Sequence, residues 1–184
     1  MARRSSRPRK MQPATKTLNF QLTVGDAGAY VNDTIDLSEA CSKVNRRFYR
    51  QGLNWAVAGF TVLTQGTGNV TVLKIPDTWS ASNAWLKAFH AWKDQQDIAV
   101  EDAGAQSAVA RYRDFKVHAD VIHATAGFGN NLQPLDVSGT AFLPGEWEAS
   151  TIVIPNYGGP GVNYEPFLNM VGDDIGGGSA SKGS

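Results

Sequence analysis

The stretch from residue 53 to residue 75, LNWAVAGFTVLTQGTGNVTVLKI, is the part of the sequence from which we predict the fold. It contains two runs rich in Val, Thr, Leu and aromatic residues, at 53–64 and 69–75, and the link Gln65-Gly66-Thr67-Gly68 separates them. Such runs around a glycine-containing link are typical of two β-strands joined in a hairpin. Pro76 ends the second run.

Segments with a similar composition lie on both sides of this hairpin. Leu18, Phe20, Leu22 and Val24 alternate with polar residues, and further β-like runs lie at 111–122, 137–143 and 149–154. The linking segments are rich in glycine, proline and asparagine, and the strands do not alternate regularly with helices as a parallel α/β sheet requires. We therefore predict a mainly β fold, an antiparallel jelly-roll-like β-sandwich with two inserted helices.

The two inserted helices are predicted from a change in apolar spacing. Over residues 36–50 the apolar residues recur at helical intervals, with Asp36 as N-cap and Gly52 as the residue that ends the helix. A second helix is predicted at about residues 81–96, capped by Ser80 or Ser82. Its apolar stripe consists of Trp85, Ala88, Phe89 and Trp92. We interpret this stripe as core packing against a sheet rather than as a stacking platform for bases.

Charge divides the sequence into a basic arm and an acidic body. The formal net charge is zero, but residues 1–16 hold six cations and no acid, which leaves 11 cations against 17 anions in the rest. The six cations are Arg3, Arg4, Arg7, Arg9, Lys10 and Lys16. We predict a disordered arm at 1–16 that binds nucleic acid phosphates, with a solubilising tail or a nuclear-localisation signal as the alternatives. The body is predicted at 17–170. Residues 171–184 are predicted to form a Gly/Ser-rich tail or an internal loop of a longer chain.

Patterns that suggest catalysis or metal binding are weak. Gly172-Asp173-Asp174 matches a polymerase tripeptide, but glycines follow it where a strand is needed. His118 and His123 would face opposite sides of a strand, which argues against a metal site, and Cys41 lies on the apolar side of its helix. We expect no enzymatic activity, no cofactor and no metal.

Three segments carry a resemblance to a known family: NRRFYRQGLNW at 45–55, TWSASNAWLKAFHAW at 78–92 and IVIPNYGGPG at 152–161. Together with the arginine-rich start, they resemble capsid proteins of circular Rep-encoding single-stranded DNA viruses of the bacilladnavirus-like kind. The resemblance covers most of residues 17–170. It implies a jelly-roll shell subunit that assembles with copies of itself and packages viral nucleic acid, single-stranded DNA above all, in a virion. Assembly in the host nucleus is compatible with it.

The resemblance also implies which residues contact the genome. They are the arm cations and, as a second group, Arg46, Arg47 and Arg50, for which ion pairs with the acidic body of a neighbouring subunit are an equal alternative. Capsids of this family are usually longer, so we expect the chain to be the N-terminal part of a subunit.

Other functions stay open from the sequence. The first alternative is a nucleic-acid-binding protein with a β-sandwich body that forms no shell, and the second is a ligand-binding jelly roll. The sequence has no apolar run long enough to span a bilayer and no secretory signal at its start, so we expect no membrane partner.

Overall fold

The computed structural model describes residues 14–23, 25, 29–108, 113–145, 147–154 and 159–164. Three α-helices lie in these ranges: α1, Leu37–Asn45; α2, Trp79–Asp102; and α3, Val121–Ala126. Two turns of 3₁₀ helix span Gln106–Ala108 and Phe128–Asn130. Strands β1 (Ile152–Ile154) and β2 (Val162–Tyr164) pair antiparallel, with Val153 opposite Asn163.

The predicted fold class is wrong. In the part of the chain that the structure describes, a single two-stranded sheet of three-residue strands stands where we expected a jelly-roll-like β-sandwich, and helices form most of the regular structure. Among the described parts of the predicted strands, only 149–154 contains a strand. Its partner β2 lies in a segment we predicted to be a loop.

The hairpin predicted at 53–75 is the largest error. Among the described residues, its backbone makes no hydrogen bond to another backbone group; Gly66 instead exchanges hydrogen bonds with the side chain of Thr64. Alternating apolar residues show that a segment is able to form a strand, but ladder hydrogen bonds need a neighbouring strand as well. We call residues 53–75 the apolar segment.

The first helix is shorter than predicted. Asp36 is its N-cap, as expected, and its carboxylate accepts hydrogen bonds from the backbone N–H groups of Ser38 and Glu39. The helix ends at Asn45 and not at Gly52, because Arg46 takes a left-handed conformation with φ of 50° and acts as the C-cap. Residues 46–50 therefore form a loop, which we call the arginine loop.

The second helix carries the apolar core, as its stripe predicts. It is longer than expected, and Thr78 rather than a serine caps it. Ala88 is buried with Phe115 and Val117, and the aromatic residues of the stripe pack around them: Trp85, Phe89 and Trp92. The ring centroids of Trp85 and Phe89 are 5.4 Å apart, and each ring meets Phe115. This confirms that the stripe is core, although the segment beneath it is not a sheet.

The third helix was not predicted. Asp120 is its N-cap, and a glycine with φ of 78°, Gly127, follows its end. The sequence pattern placed a strand at 111–122 and a loop at 124–134. The chain instead begins α3 at Val121. The sequence analysis missed this helix because six residues are too few to show a helical pattern of apolar residues.

Candidate nucleic-acid interface

The arginine loop folds back against α1. The N–H of Arg47 donates to the carbonyl of Ser42 (3.1 Å), and the N–H of Tyr49 donates to the hydroxyl of Ser42 (2.8 Å). The hydroxyl of Ser38 donates to the carbonyl of Arg50 (3.2 Å). Two serines one turn apart on the helix therefore hold both the middle and the end of the loop.

Two tryptophans support the aromatic residues of this loop. Phe48 meets Trp147 with ring centroids 6.2 Å apart, and Tyr49 meets Trp55 edge-on at 5.6 Å. The indole N–H of Trp55 donates to the Ser38 hydroxyl at 3.2 Å. The aromatic residues are thus held in place, while Phe48 remains about half exposed.

The end of the basic arm is attached beside the same loop. The N–H of Thr15 donates to the side-chain oxygen of Asn45 (2.6 Å), and the side-chain amide of Asn45 donates back to the carbonyl of Thr15 (3.3 Å). Asn45 is the last residue of α1, directly before Arg46. Lys16 therefore lies next to the arginine loop.

A cleft of about 520 Å³ opens at the arginine loop. Its walls combine two arginines, two aromatic rings and a leucine: Arg47, Phe48, Tyr49, Arg50 and Leu53. Arg46, Arg47 and Arg50 are exposed. Within the described residues none of the three forms an ion pair with an acidic side chain. Their positive charge is therefore available to an anion from outside.

The C-terminal end of α1 offers a purely structural reason for cations at these positions. Positive charge near the C-terminus of α1 is favourable because the helix dipole is negative there. That effect falls off within the last turn, however, and accounts for Arg46 better than for Arg50, which is four residues further on. The cleft and its aromatic walls are not explained by helix capping.

The structure brings together four of the nine predicted nucleic-acid contacts, Lys16, Arg46, Arg47 and Arg50. The other five, Arg3, Arg4, Arg7, Arg9 and Lys10, lie outside the described residues. The helix predicted over residues 36–50 would place Lys43 and these arginines on its polar face; the structure instead places the arginines on a loop. Phe48 and Tyr49 were missed as lining residues, although their position between arginines in the sequence RRFYR is a basic and aromatic pattern that sequence analysis could have used.

Lys43, which the sequence groups with these arginines, belongs to a buried polar network instead. Its ammonium donates to Glu39 (2.5 Å), to Gln133 (2.5 Å) and to the carbonyl of Pro144 (2.5 Å). Glu39 is only 2% exposed, and it also accepts from the side-chain amides of Asn131 (2.8 Å) and Gln133 (3.1 Å). This network joins α1 to the segment after α3, and its charges are internally satisfied.

Two histidines extend this network into the interior. The rings of His118 and His123 are 5.0 Å apart, and both contact Phe128. We had predicted that the two histidines face opposite sides of a strand, and this is wrong because α3 turns His123 back towards His118. Asp120 caps the helix. No group of three or more metal-ligating side chains occurs within the described ranges.

His123 is held in its neutral form. Its Nδ1 accepts a hydrogen bond from the N–H of Ala119 (3.0 Å), so the proton lies on Nε2, which donates to Asn131 (2.8 Å). Burial is the main cause that lowers the pKa of His123; the Asn131 hydrogen bond opposes it, the neighbouring His118 lowers the pKa to a smaller extent, and the charges of Asp36 and Asp120 oppose it weakly. A second proton on Nδ1 would face the N–H of Ala119 and replace the hydrogen bond with a repulsion between two donors.

We therefore expect the protein to lose stability in mild acid. Because the pKa of His123 is lower in the folded chain than the usual value of about 6.5, the unfolded chain takes up the proton first as pH falls. The contribution of neutral His123 to the free energy of unfolding is complete above about pH 7 and declines below about pH 6.5, towards the lowered pKa. Urea unfolding at several pH values should show this decline in the wild type and a smaller one in His123→Gln. A decline of equal size in that variant would contradict the assignment, whereas the exposed His90→Gln should behave as the wild type.

Cys41 has no feature of a nucleophile. Burial and, to a smaller extent, the charge of Asp36 raise the pKa of its thiol. A raised pKa lowers the fraction of reactive thiolate at neutral pH. The Gly172-Asp173-Asp174 tripeptide lies outside the described residues. No helix in the described ranges combines the length and apolar character that crossing a bilayer requires.

Comparisons with known proteins give no match: no family model, no curated protein and no solved structure is similar to the chain.

Proposed function

We propose that this protein binds nucleic acid through its basic arm and the adjoining arginine loop, and that its copies assemble into a shell around that nucleic acid. One observation carries the binding half: the reciprocal hydrogen bonds of Thr15 and Asn45, which join the end of the arm to the loop. Arm and loop then form one continuous cationic surface. Its contacts are mainly with phosphates, which gives binding that weakens with salt and depends little on base sequence.

The cleft favours a single-stranded ligand. Bases in a duplex are stacked on each other and present only their edges, whereas unpaired bases offer their faces to aromatic side chains. Phe48 and Tyr49 line the cleft together with Arg47 and Arg50. One nucleotide could therefore stack its base on an aromatic ring and place the adjacent phosphate against a guanidinium in the same cleft. Single-stranded DNA is thus the proposed cargo, and virions are the proposed location.

The shell half of the proposal rests on the capsid resemblance and on the exposed apolar segment. The segment has no charge over residues 53–73, and much of its apolar surface faces solvent. Large uncovered apolar patches on a protein mark surfaces of interaction. A subunit that is covered by its neighbours has such a surface.

A nucleic-acid-binding protein that forms no shell is the second candidate. The observation that favours it is the described fold, which lacks the β-sandwich that a jelly-roll shell subunit requires. Electron microscopy of the protein purified with its nucleic acid at low salt separates the two. Regular particles support the shell, and a persistent monomer with bound nucleic acid supports the second candidate.

Variants of the arginine loop should separate phosphate contacts from base stacking. Arg47→Ala/Arg50→Ala should weaken binding to an oligothymidine and reduce the slope of log affinity against log salt by about 0.7 for each lost phosphate contact. Phe48→Leu should weaken binding by about 1–3 kcal/mol if a base stacks there, with an unchanged slope. Fluorescence anisotropy over a salt series measures both quantities.

Lys87→Ala/Lys93→Ala is the matched control for this series, because it also removes two cations, both from α2, which lies outside the loop and outside the apolar segment. It should leave affinity and slope close to those of the wild type. Equal losses in Lys87→Ala/Lys93→Ala and in the arginine variant would show that net charge alone determines binding, which would remove the loop from the proposal.

A further inference from the structure

The apolar segment is the largest feature of the chain that the nucleic-acid interface leaves unexplained. From residue 52 to residue 79 every residue is exposed, although the sequence reads as two strands and a turn. Leu63 is 92% exposed and Leu73 is 86% exposed. The described backbone of the segment has neither ladder partners nor helical hydrogen bonds. It therefore holds both unpaired backbone groups and uncovered apolar side chains.

The sequence of this segment also lacks the features that protect exposed strands. Natural edge strands carry lysines, prolines or other charges that prevent pairing with other chains. Residues 53–73 contain no Asp, Glu, Lys, Arg or Pro, and Lys74 and Pro76 stand only at the end. A segment with this composition is expected to be covered in the working form of the protein.

The exposed apolar area is large enough to supply much of a specific protein interface. Ten large apolar side chains between Leu53 and Ile75 are each at least 37% exposed. Two of the ten, Trp55 and Phe60, are aromatic, at about 150–250 Å² when fully exposed, and the other eight are smaller aliphatic side chains, so together they expose on the order of several hundred Å². A stable protein–protein interface of standard size needs about 800 Å² from each partner.

Charge indicates which partner covers the segment. The absence of cations at 53–73 disfavours nucleic acid, which requires them. The body of the chain carries more acids than bases, so two copies repel each other over much of their surface and can approach most easily where charge is absent. A segment that pairs antiparallel with itself also satisfies the backbone groups of both copies around a two-fold axis.

We propose that residues 53–75 form a β-paired interface with the same residues of a second copy of this chain. The inference rests on the proposed role as a self-assembling subunit and names the surface through which copies meet. Pairing supplies the ladder hydrogen bonds that the described chain lacks. It also buries Leu63, Leu73 and their neighbours between the two copies.

The test is a comparison of two double variants by sedimentation velocity over a concentration series. Leu63→Lys/Leu73→Lys places like charges in the proposed interface and should raise the dimer dissociation constant more than about tenfold. Val137→Lys/Leu143→Lys adds the same charge at two similarly exposed positions outside the segment and should leave the constant unchanged. Hydrogen exchange of the wild type should also slow at 54–74 as concentration rises.

Several results would overturn the inference. The first is a wild type that stays monomeric up to roughly 100 μM, a concentration at which a dimer of micromolar affinity is populated. The second is an equal effect of the two double variants. The third is binding of the wild type to lipid vesicles in place of self-association. If the lysine variant does not fold by circular dichroism, Leu63→Ser/Leu73→Ser provides the same comparison. Oligothymidine binding of the same samples separates the proposals: a dimer that binds no nucleic acid contradicts the proposed function alone, and a binding monomer contradicts the interface alone.

Discussion

Replacement of Glu39 by alanine should destabilise the protein by about 3–5 kcal/mol, the cost typical of removing one partner from a buried ion pair. Glu39 is the shared acceptor of Lys43, Asn131 and Gln133, and it is almost fully buried. Its loss leaves the Lys43 ammonium without its carboxylate partner, although Gln133 and the carbonyl of Pro144 remain as acceptors, and takes one acceptor from each of two buried side-chain amides. The effect is a large part of the 5–15 kcal/mol that stabilises an ordinary domain. Urea unfolding followed by tryptophan fluorescence measures it.

Two further variants make this result specific. Glu101→Ala removes an exposed carboxylate from the last turn of α2 and should change the unfolding midpoint little. Glu39→Met/Lys43→Met removes both charges of the pair and should regain part of the lost stability, because no unpaired charge is then buried. A double variant that is less stable than Glu39→Ala would show that the network is not governed by charge burial.

Removal of the basic arm should have the largest effect on nucleic-acid binding. A variant that lacks residues 1–13 loses Arg3, Arg4, Arg7, Arg9 and Lys10 but keeps the hydrogen bonds of Thr15 to Asn45. If each lost cation contacts a phosphate, the salt slope for single-stranded DNA should fall by up to about 3.5, and nucleic acid should no longer co-purify. The unfolding midpoint should be unchanged because the anchor of the arm remains.

Two full-length controls distinguish charge from chain length and from sequence. An arm in which the five cations are replaced by glutamine should bind as weakly as the deletion. An arm with the same residues in scrambled order should bind like the wild type, since phosphate contacts carry no sequence information. Full binding by the neutral arm would refute the assignment of the arm as the main contact.

Sequence analysis predicted local features well. The Asp36 cap and the core stripe of α2 both depend on residues within a few positions of each other, and both are found in the structure. The end of α1 was misplaced because it depends on the left-handed Arg46 and on the hydrogen bond between Tyr49 and Ser42. A glycine at position 52 gave a more conventional signal for a helix end than an arginine at 46.

The largest errors concern contacts between residues far apart in the sequence. Alternation at 53–75 predicts the ability to form strands but does not supply a pairing partner. The Glu39 network joins residues more than 90 positions apart, and no local pattern of Asn131 or Gln133 indicates it. For the candidate interface, the sequence identified the cations. It could not identify the hydrogen bonds between Thr15 and Asn45, which place Lys16 beside the arginine loop.

The most direct test of the central claim is ultraviolet cross-linking of the full chain to single-stranded DNA, followed by mass spectrometry of the linked peptides. If arm and arginine loop form one binding surface, cross-links should map to the arm and to Phe48 or Tyr49, and Arg47→Ala/Arg50→Ala should remove those in the loop. Cross-links confined to other parts of the chain, such as the exposed side of α2, would contradict the claim.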